Sequence, residues 1–191
     1  MTNHIFHPSI LRAYDIRGIV DETLSLADAW SIGLSFATCL DKRGHGNHVV
    51  VGRDGRLSSM ALATALCEGL VAGGARVSNI GCGPTPMLYY ASISLKADGA
   101  IQVTGSHNPP THNGFKMVMN GNVFFGDDIR ELGIISASGP KEKSGGSLKM
   151  TPIFKSYIDR LVTGANTGHY KVIWDCGNGA SGPATIAATR E

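Results

Sequence analysis

The feature that most limits how this chain can fold is its alternation of short β-branched runs with helix-length apolar stripes. Leu26, Ala29, Trp30, Gly33, Ala37 and Leu40 recur at spacings of three and four, which gives a helix one apolar face. Gly44 and Gly46 break that pattern, and His48-Val49-Val50-Val51 reads as a buried strand. A Gly-Arg-Asp-Gly-Arg-Leu-Ser-Ser loop at 52–59 follows. Ser58 or Ser59 caps a second helix, marked by Leu62, Leu66 and Leu70 and ended by Gly73-Gly74. A strand is expected at Arg76–Ile80, a helix at 86–95 and a strand at Asp98–Thr104. A loop over Gly105–Gly114, a strand at Phe115–Met119 and a short helix at 127–137 come next. This alternation predicts an α/β fold, a layered mixed β-sheet flanked by helices. The loop from Val103 to Phe115 is too short for a crossover helix, so its two strands are expected to pair antiparallel.

Residues 138–149 are polar and rich in Gly and Ser, as a surface loop or linker is. They close an expected first domain at 1–149. From 150 the pattern restarts: a helix bearing Ile153, Tyr157, Ile158 and Leu161, then Lys171–Trp174 as a strand entering a second glycine loop, Asp175-Cys176-Gly177-Asn178-Gly179. Residues 150–191 therefore read as the incomplete start of a second, similar domain.

Hydrophobic residues at 42% against 17% charged allow a packed core and argue against disorder. A net charge of +2 lacks the concentrated basic face of a nucleic-acid binder. No apolar run approaches the roughly 20 residues of a membrane span, and the N-terminus has no signal-peptide pattern. Cys39, Cys67, Cys82 and Cys176 form no CxxC pair and fit neither a zinc site nor a disulfide framework. The expected setting is the cytoplasm, with no nucleic-acid or membrane partner.

Chemistry concentrates in Thr104-Gly105-Ser106-His107-Asn108-Pro109-Pro110, directly after an apolar strand. In open α/β sheets the crevice at the carboxyl ends of strands takes the ligand. Gly105 permits unusual torsions, Asn108 before proline is biased to extended backbone, and two prolines stiffen the exit. The loop should hold one hydroxyl outward. A serine is a weak nucleophile without a base, a metal or a strong polarising partner, and His107 and Lys116 are close in sequence. A phosphoryl group would need cations, for which Lys116 and Arg17 are candidates. A hydrolase reading finds no Gly-x-Ser-x-Gly elbow and no acid spaced to His107. A binding module with an idle serine loop is the other reading of these residues.

This loop, with Asn113-Gly114-Phe115-Lys116-Met117-Val118 after it, resembles the active-site loop of the α-D-phosphohexomutase superfamily, in its phosphomannomutase/phosphoglucomutase branch. Tyr14-Asp15-Ile16-Arg17-Gly18, the Val51–Arg56 turn and the Asp175–Gly179 turn are similar to further segments of that family, in the same order. The related phosphoglucosamine mutases more often carry Ser-Ala-Ser before the His-Asn pair. The resemblance implies that Ser106 is phosphorylated and exchanges its phosphoryl group with a hexose phosphate through a 1,6-bisphosphate. It implies Lys116 and His107 as catalytic partners, and Arg17, Tyr14, Thr104 and Asn108 at the substrate. It also implies Mg²⁺ on an oxygen of phospho-Ser106, its aspartate ligands lying in a later domain. Arg53, Asp54 and Arg56 are expected to build a turn, with Arg56 available to order the cleft. Family members have four domains, so domains 2–4 are the missing partners, and this chain alone is expected not to turn over substrate.

Overall fold

The computed structural model describes residues 3–165, 168 and 171–190. Asn166, Thr167, His169, Tyr170 and Glu191, within the expected second unit, lie outside the described residues. Seven strands form one mixed sheet: β1 (Ile16–Ile19), β2 (His48–Arg53), β3 (Arg76–Cys82), β4 (Gly99–Val103), β5 (His112–Met119), β6 (Asn122–Phe124) and β7 (Ser147–Met150). Their order is β1-β5-β4-β2-β3-β7, with β6 also on β5. β2, β3, β4 and β7 run parallel, while β5 is antiparallel to β1, β4 and β6.

Strand alternation sorts the side chains into two cores. Val49, Val51, Ile101, Val103, Phe115 and Met117 face one way. There they meet α1 (Leu26–Lys42), α2 (Ser59–Ala72) and α4 (Asp127–Ala137) through Ile32, Phe36, Leu62, Leu66 and Leu132. Val50, Ala100 and Ile80 face the other way. They meet α3 (Thr85–Ser94), α5 (Phe154–Val162) and α6 (Gly182–Ala188) through Met87, Leu88, Tyr157, Ile158 and Ala184. Each fully buried Leu, Ile or Phe adds about 1.5–3 kcal/mol over an exposed one. The result is the expected layered mixed α/β sheet.

α1 begins where its sequence provides a capping box: the Ser25 hydroxyl accepts from the Asp28 amide, and Asp28 accepts from the Ser25 amide at 2.7 Å. Its glycine serves packing. A Cβ at Gly33 would lie 2.3 Å from the Leu66 carbonyl oxygen, and one at Gly69 would lie 1.9 Å from that of Trp30. The α1 and α2 backbones thus touch where these glycines cross.

Three expectations need correction. β5 begins at His112, ahead of Phe115, because Asn113 and Gly114 pair with Gly18 and Arg17 of β1. Ser147–Met150, placed in the polar linker, is an edge strand parallel to β3. Its exposed Leu148 and Met150 gave no buried-strand signal, and the ladder with β3 makes it a strand. Lys171–Trp174, read as a strand, carries no strand, and Val172, Ile173 and Trp174 are exposed. A β-branched run becomes a strand only against a ladder partner, and none pairs with it among the described residues. No described helix is long and apolar enough to cross a membrane.

Candidate functional site

The loop between β4 and β5 is a closed turn. Asn108 and His112 amides donate to the carbonyls of Gly105 and Pro109 at 3.0 Å each, and the Thr104 amide donates to Gly114 at 2.9 Å. The Asn108 side-chain amide adds a bond to the Gly105 carbonyl at 3.1 Å. Ser106 stands at the tip, exposed, with φ +54°. A left-handed backbone costs a non-glycine residue about 1–2 kcal/mol. Here both flanking peptide groups hold it: the Ser106 amide donates to Thr104 Oγ1 at 2.9 Å, and its carbonyl accepts from Arg56 Nη2 at 2.9 Å. His107 is also exposed, its Nδ1 3.4 Å from Ser106 Oγ. That is long for a hydroxyl bond, so in this arrangement the imidazole stands beside the hydroxyl without gripping it.

Beneath the loop sits Asp54, from the turn after β2. Its Oδ2 accepts from Thr104 Oγ1 at 2.8 Å, the Gly105 amide at 3.2 Å and Arg56 Nε at 3.2 Å. Its Oδ1 accepts from the Arg56 amide at 3.1 Å and from the Ser59 hydroxyl. The Asn113 side chain, fully buried, donates to Ser58 and Ser59 at 2.8 and 2.9 Å, which ties β5 to the start of α2. The expected turn-building role of Asp54 and Arg56 thus extends to a loop some fifty residues further along the chain.

Register brings the cations to the same side of the sheet. Ala100 belongs to the α3-side core, so Gln102 and Thr104, two and four residues on, face that side. Lys116 is the partner of Gln102 across β4 and β5, and directly opposed residues share a face. Arg17 is likewise opposite Gly114 on β1. The buried Asp15 joins the two cations, accepting from Arg17 Nη2 at 2.5 Å and Lys116 Nζ at 3.2 Å. Two cations against one carboxylate leave local positive charge. Arg17 Nε is buried with no partner, an orphaned donor on a charged group. Tyr14 is 79% exposed.

A cleft of about 500 Å³ opens over the loop. Its lining includes Thr104, Ser106, Asn108, Arg56, Pro84, Thr85, Gln102 and Gly177–Ser181. Of the residues singled out from the sequence, Ser106, Thr104 and Asn108 therefore line it together. Lys116 stands on the same sheet face beside its lining residue Gln102, and Arg17 on that face one strand further out. Asp15 was not singled out; it lies in the bend just before β1, where no strand period marks its side chain. Gln102 and Asn113 had no sequence signal as site residues.

Among the described residues no group of three or more His, Cys, Asp or Glu side chains could hold a metal ion. Asp54 is committed to Arg56 and the loop, and Asp15 to Arg17 and Lys116. The described residues do not fit a Mg²⁺ site by themselves.

Comparison with known proteins agrees with the geometry. The profile of the family described as phosphoglucomutase/phosphomannomutase, alpha/beta/alpha domain I, matches residues 8–140. A phosphomannomutase/phosphoglucomutase of Pseudomonas aeruginosa is 41% identical over 175 residues, covering 91% of this chain and 38% of the relative. A phosphomannomutase of Salmonella typhimurium is 37% identical over 92% of this chain and 40% of its own length. Among solved structures, a phosphoglucomutase/phosphomannomutase family protein from Burkholderia thailandensis superposes with TM-score 0.86 and 38% identity, over 97% of this chain and 42% of that one. The Paramecium parafusin phosphoglucomutase shares the fold at TM-score 0.63 and 15% identity, over 98% of this chain and 43% of that one. The chain thus spans about two fifths of the length of the proteins it matches.

Proposed function

The chain belongs to the phosphoglucomutase/phosphomannomutase family, and on that premise we propose that Ser106 is the phosphoryl carrier of a hexose-phosphate mutase. The observation that carries this reading is the exposed, left-handed Ser106 fixed at the tip of a braced loop in the cleft. Phospho-Ser106 faces a hexose monophosphate, glucose or mannose. The sugar hydroxyl oxygen bonds to phosphorus as the Ser106 Oγ–P bond breaks, and the hydroxyl proton is passed on as Oγ regains one. The 1,6-bisphosphate turns over in the cleft, and its other phosphoryl group returns to Ser106. Such transfer needs in-line placement and charge stabilisation more than covalent chemistry.

Lys116 and Arg17 supply positive charge on the face beside the cleft, and the unpartnered Nε of Arg17 has a hydrogen bond to give. His107, next to the hydroxyl, moves the proton. Tyr14, exposed, is open to substrate contact. Thr104 and Asn108 line the cleft, so contact there adds to the bonds that already shape the loop. Mg²⁺ enters this proposal only on an oxygen of phospho-Ser106, with its other ligands outside the described residues. On the same reading residues 1–149 are the first domain and 150–191 the start of a second. Domains 2–4 complete the cleft, the setting is the cytoplasm, and this chain alone does not turn over substrate.

The test is to incubate the complete polypeptide that carries this sequence with labelled hexose 1,6-bisphosphate and Mg²⁺, then map the phosphopeptide. Label on Ser106 is the expected result. A folded protein without label there would sink the mutase reading and leave a phosphosugar-binding module.

A further inference from the structure

Arg56 lines the same cleft as Ser106, and phosphoryl transfer calls for cations, so its first assignment would be to a substrate phosphate. Its hydrogen bonds point elsewhere. A guanidinium has five N–H donors. Arg56 Nε gives one to Asp54 Oδ2 at 3.2 Å. Nη1 donates to the carbonyls of Pro109 and His112 at 2.7 and 3.1 Å, and Nη2 to those of Ser106 and Asn108 at 2.9 and 2.7 Å. All five donors are spent inside the protein, and none is left for a phosphate.

The four carbonyls span the loop from its serine to its return into β5. One planar group therefore ties the start, middle and end of the loop together. Lysine carries the same charge but not this fork. The fit extends to Gly105, where a Cβ would stand 2.4 Å from Arg56 Cζ and 2.7 Å from the His112 carbonyl oxygen. Asp54 completes the device: the oxygen that receives Arg56 Nε also receives Thr104 Oγ1, and Thr104 Oγ1 receives the Ser106 amide. The Ser106 carbonyl and amide are thus gripped from one ion pair.

We propose that Arg56 is a positioning residue for phosphoryl transfer at Ser106, setting the direction of its hydroxyl through the loop and taking no part in binding substrate. This rests on the phosphoryl-carrier reading of Ser106. Arg56→Ala and Arg56→Lys, made in the complete polypeptide that carries this sequence, test it with two readouts. The first is the single-turnover rate of Ser106 labelling against hexose 1,6-bisphosphate concentration. The second is hydrogen exchange of the loop amides Asn108 and His112, with β4 as the internal control.

A misplaced reacting group loses about 100-fold in rate, so both variants should fall by that order at saturation, with half-saturating donor within about 3-fold of the parent. Loop exchange should quicken while β4 exchange stays unchanged. Added guanidinium ion should restore part of the Arg56→Ala rate and none of the Arg56→Lys rate, because the lysine side chain fills the space. Labelling by Arg56→Lys at the parent rate would overturn the proposal. So would a raised half-saturation at unchanged maximal rate, which would mean that Arg56 binds substrate. Lost β4 protection in both variants would also overturn it, since Arg56 would then be holding the fold. If the parent takes no label on Ser106, the carrier reading has failed. The exchange readout then decides the clamp alone, and unchanged loop exchange would refute it.

Discussion

Adding one methyl group at Gly69 should cost this protein more stability than any gain in helix propensity returns. Gly69 lies in α2 against α1, where a Cβ would sit 1.9 Å from the Trp30 carbonyl oxygen and 2.8 Å from its carbon. Ordinary contact starts near 3.4 Å, so the helices would have to part from 1.9 to about 3.4 Å, a shift of about 1.5 Å. The obstacle is backbone, which cannot turn aside as a side chain can. A radial gap of about 0.5–1 Å already forfeits a quarter to a half of a dispersion contact, and Ile32, Phe36, Leu62 and Leu66 of these two helices are buried in one core. Overpacking of this kind costs about 1–3 kcal/mol or more, and alanine recovers about 1 kcal/mol of helix propensity. Because the obstacle is backbone the cost lies at the upper end, so a net loss of about 2 kcal/mol is expected, which lowers Tm by about 4–8 °C for a chain of this size. Gly133→Ala in α4 is the control: its Cβ would meet only Leu11 Cδ1 at 2.8 Å, the end of a side chain that can rotate. Thermal unfolding of the two variants beside the parent is the assay. If Gly69→Ala melts at or above the parent, or Gly133→Ala falls as far, the backbone-contact argument is wrong.

Burial pushes the thiols of Cys39 and Cys67 up from 9.0 to about 12. The unfolded chain therefore ionises first as pH rises. The stability these thiols contribute is whole below pH 9.0 and drains away between 9.0 and about 12, which urea titrations across that range should show. At pH 8 a disulfide reagent should modify the exposed Cys82 quickly and leave Cys39 and Cys67 untouched until unfolding. Asp15→Asn removes the carboxylate shared by buried Arg17 and half-buried Lys116. Breaking a buried pair from one side costs about 3–5 kcal/mol, and with Arg17 still flanked by Lys116 the urea midpoint should drop accordingly. An unchanged midpoint would mean that the pair is solvated in solution.

The large elements were legible because their periodicity is strong. From Ala29 to Leu40 the first stripe is largely buried, although Leu26 is half exposed and α1 is buried on more than one side. The Leu62-Leu66-Leu70 series is buried, and the valines of β2 alternate between two cores. β1, β6 and β7 were not legible, because three or four residues with two apolar side chains carry no period of their own. Each is a strand because a neighbour offers a ladder: β1 and β6 share the outer edge of β5, and β7 takes that of β3. Lys171–Trp174 shows the converse, a run with Val172 and Ile173 that has no ladder partner among the described residues. At the site, Ser106 announced itself through its loop chemistry. The grip of Arg56 did not, because its partners are carbonyls, which every residue has, and only the folded register shows which of them it reaches.

The antiparallel insertion of β5 among parallel neighbours has a kinematic consequence. A crossover would leave the segment after β4 free at its far end. A hairpin instead returns it at once into the adjacent strand, and the five register pairs from Gly99–Met119 to Val103–Phe115 close it at its base. With Arg56 bonded to four of its carbonyls, the serine loop is held along its length as well as at its base. It is the anvil of the cleft, which Gly177–Ser181 also line.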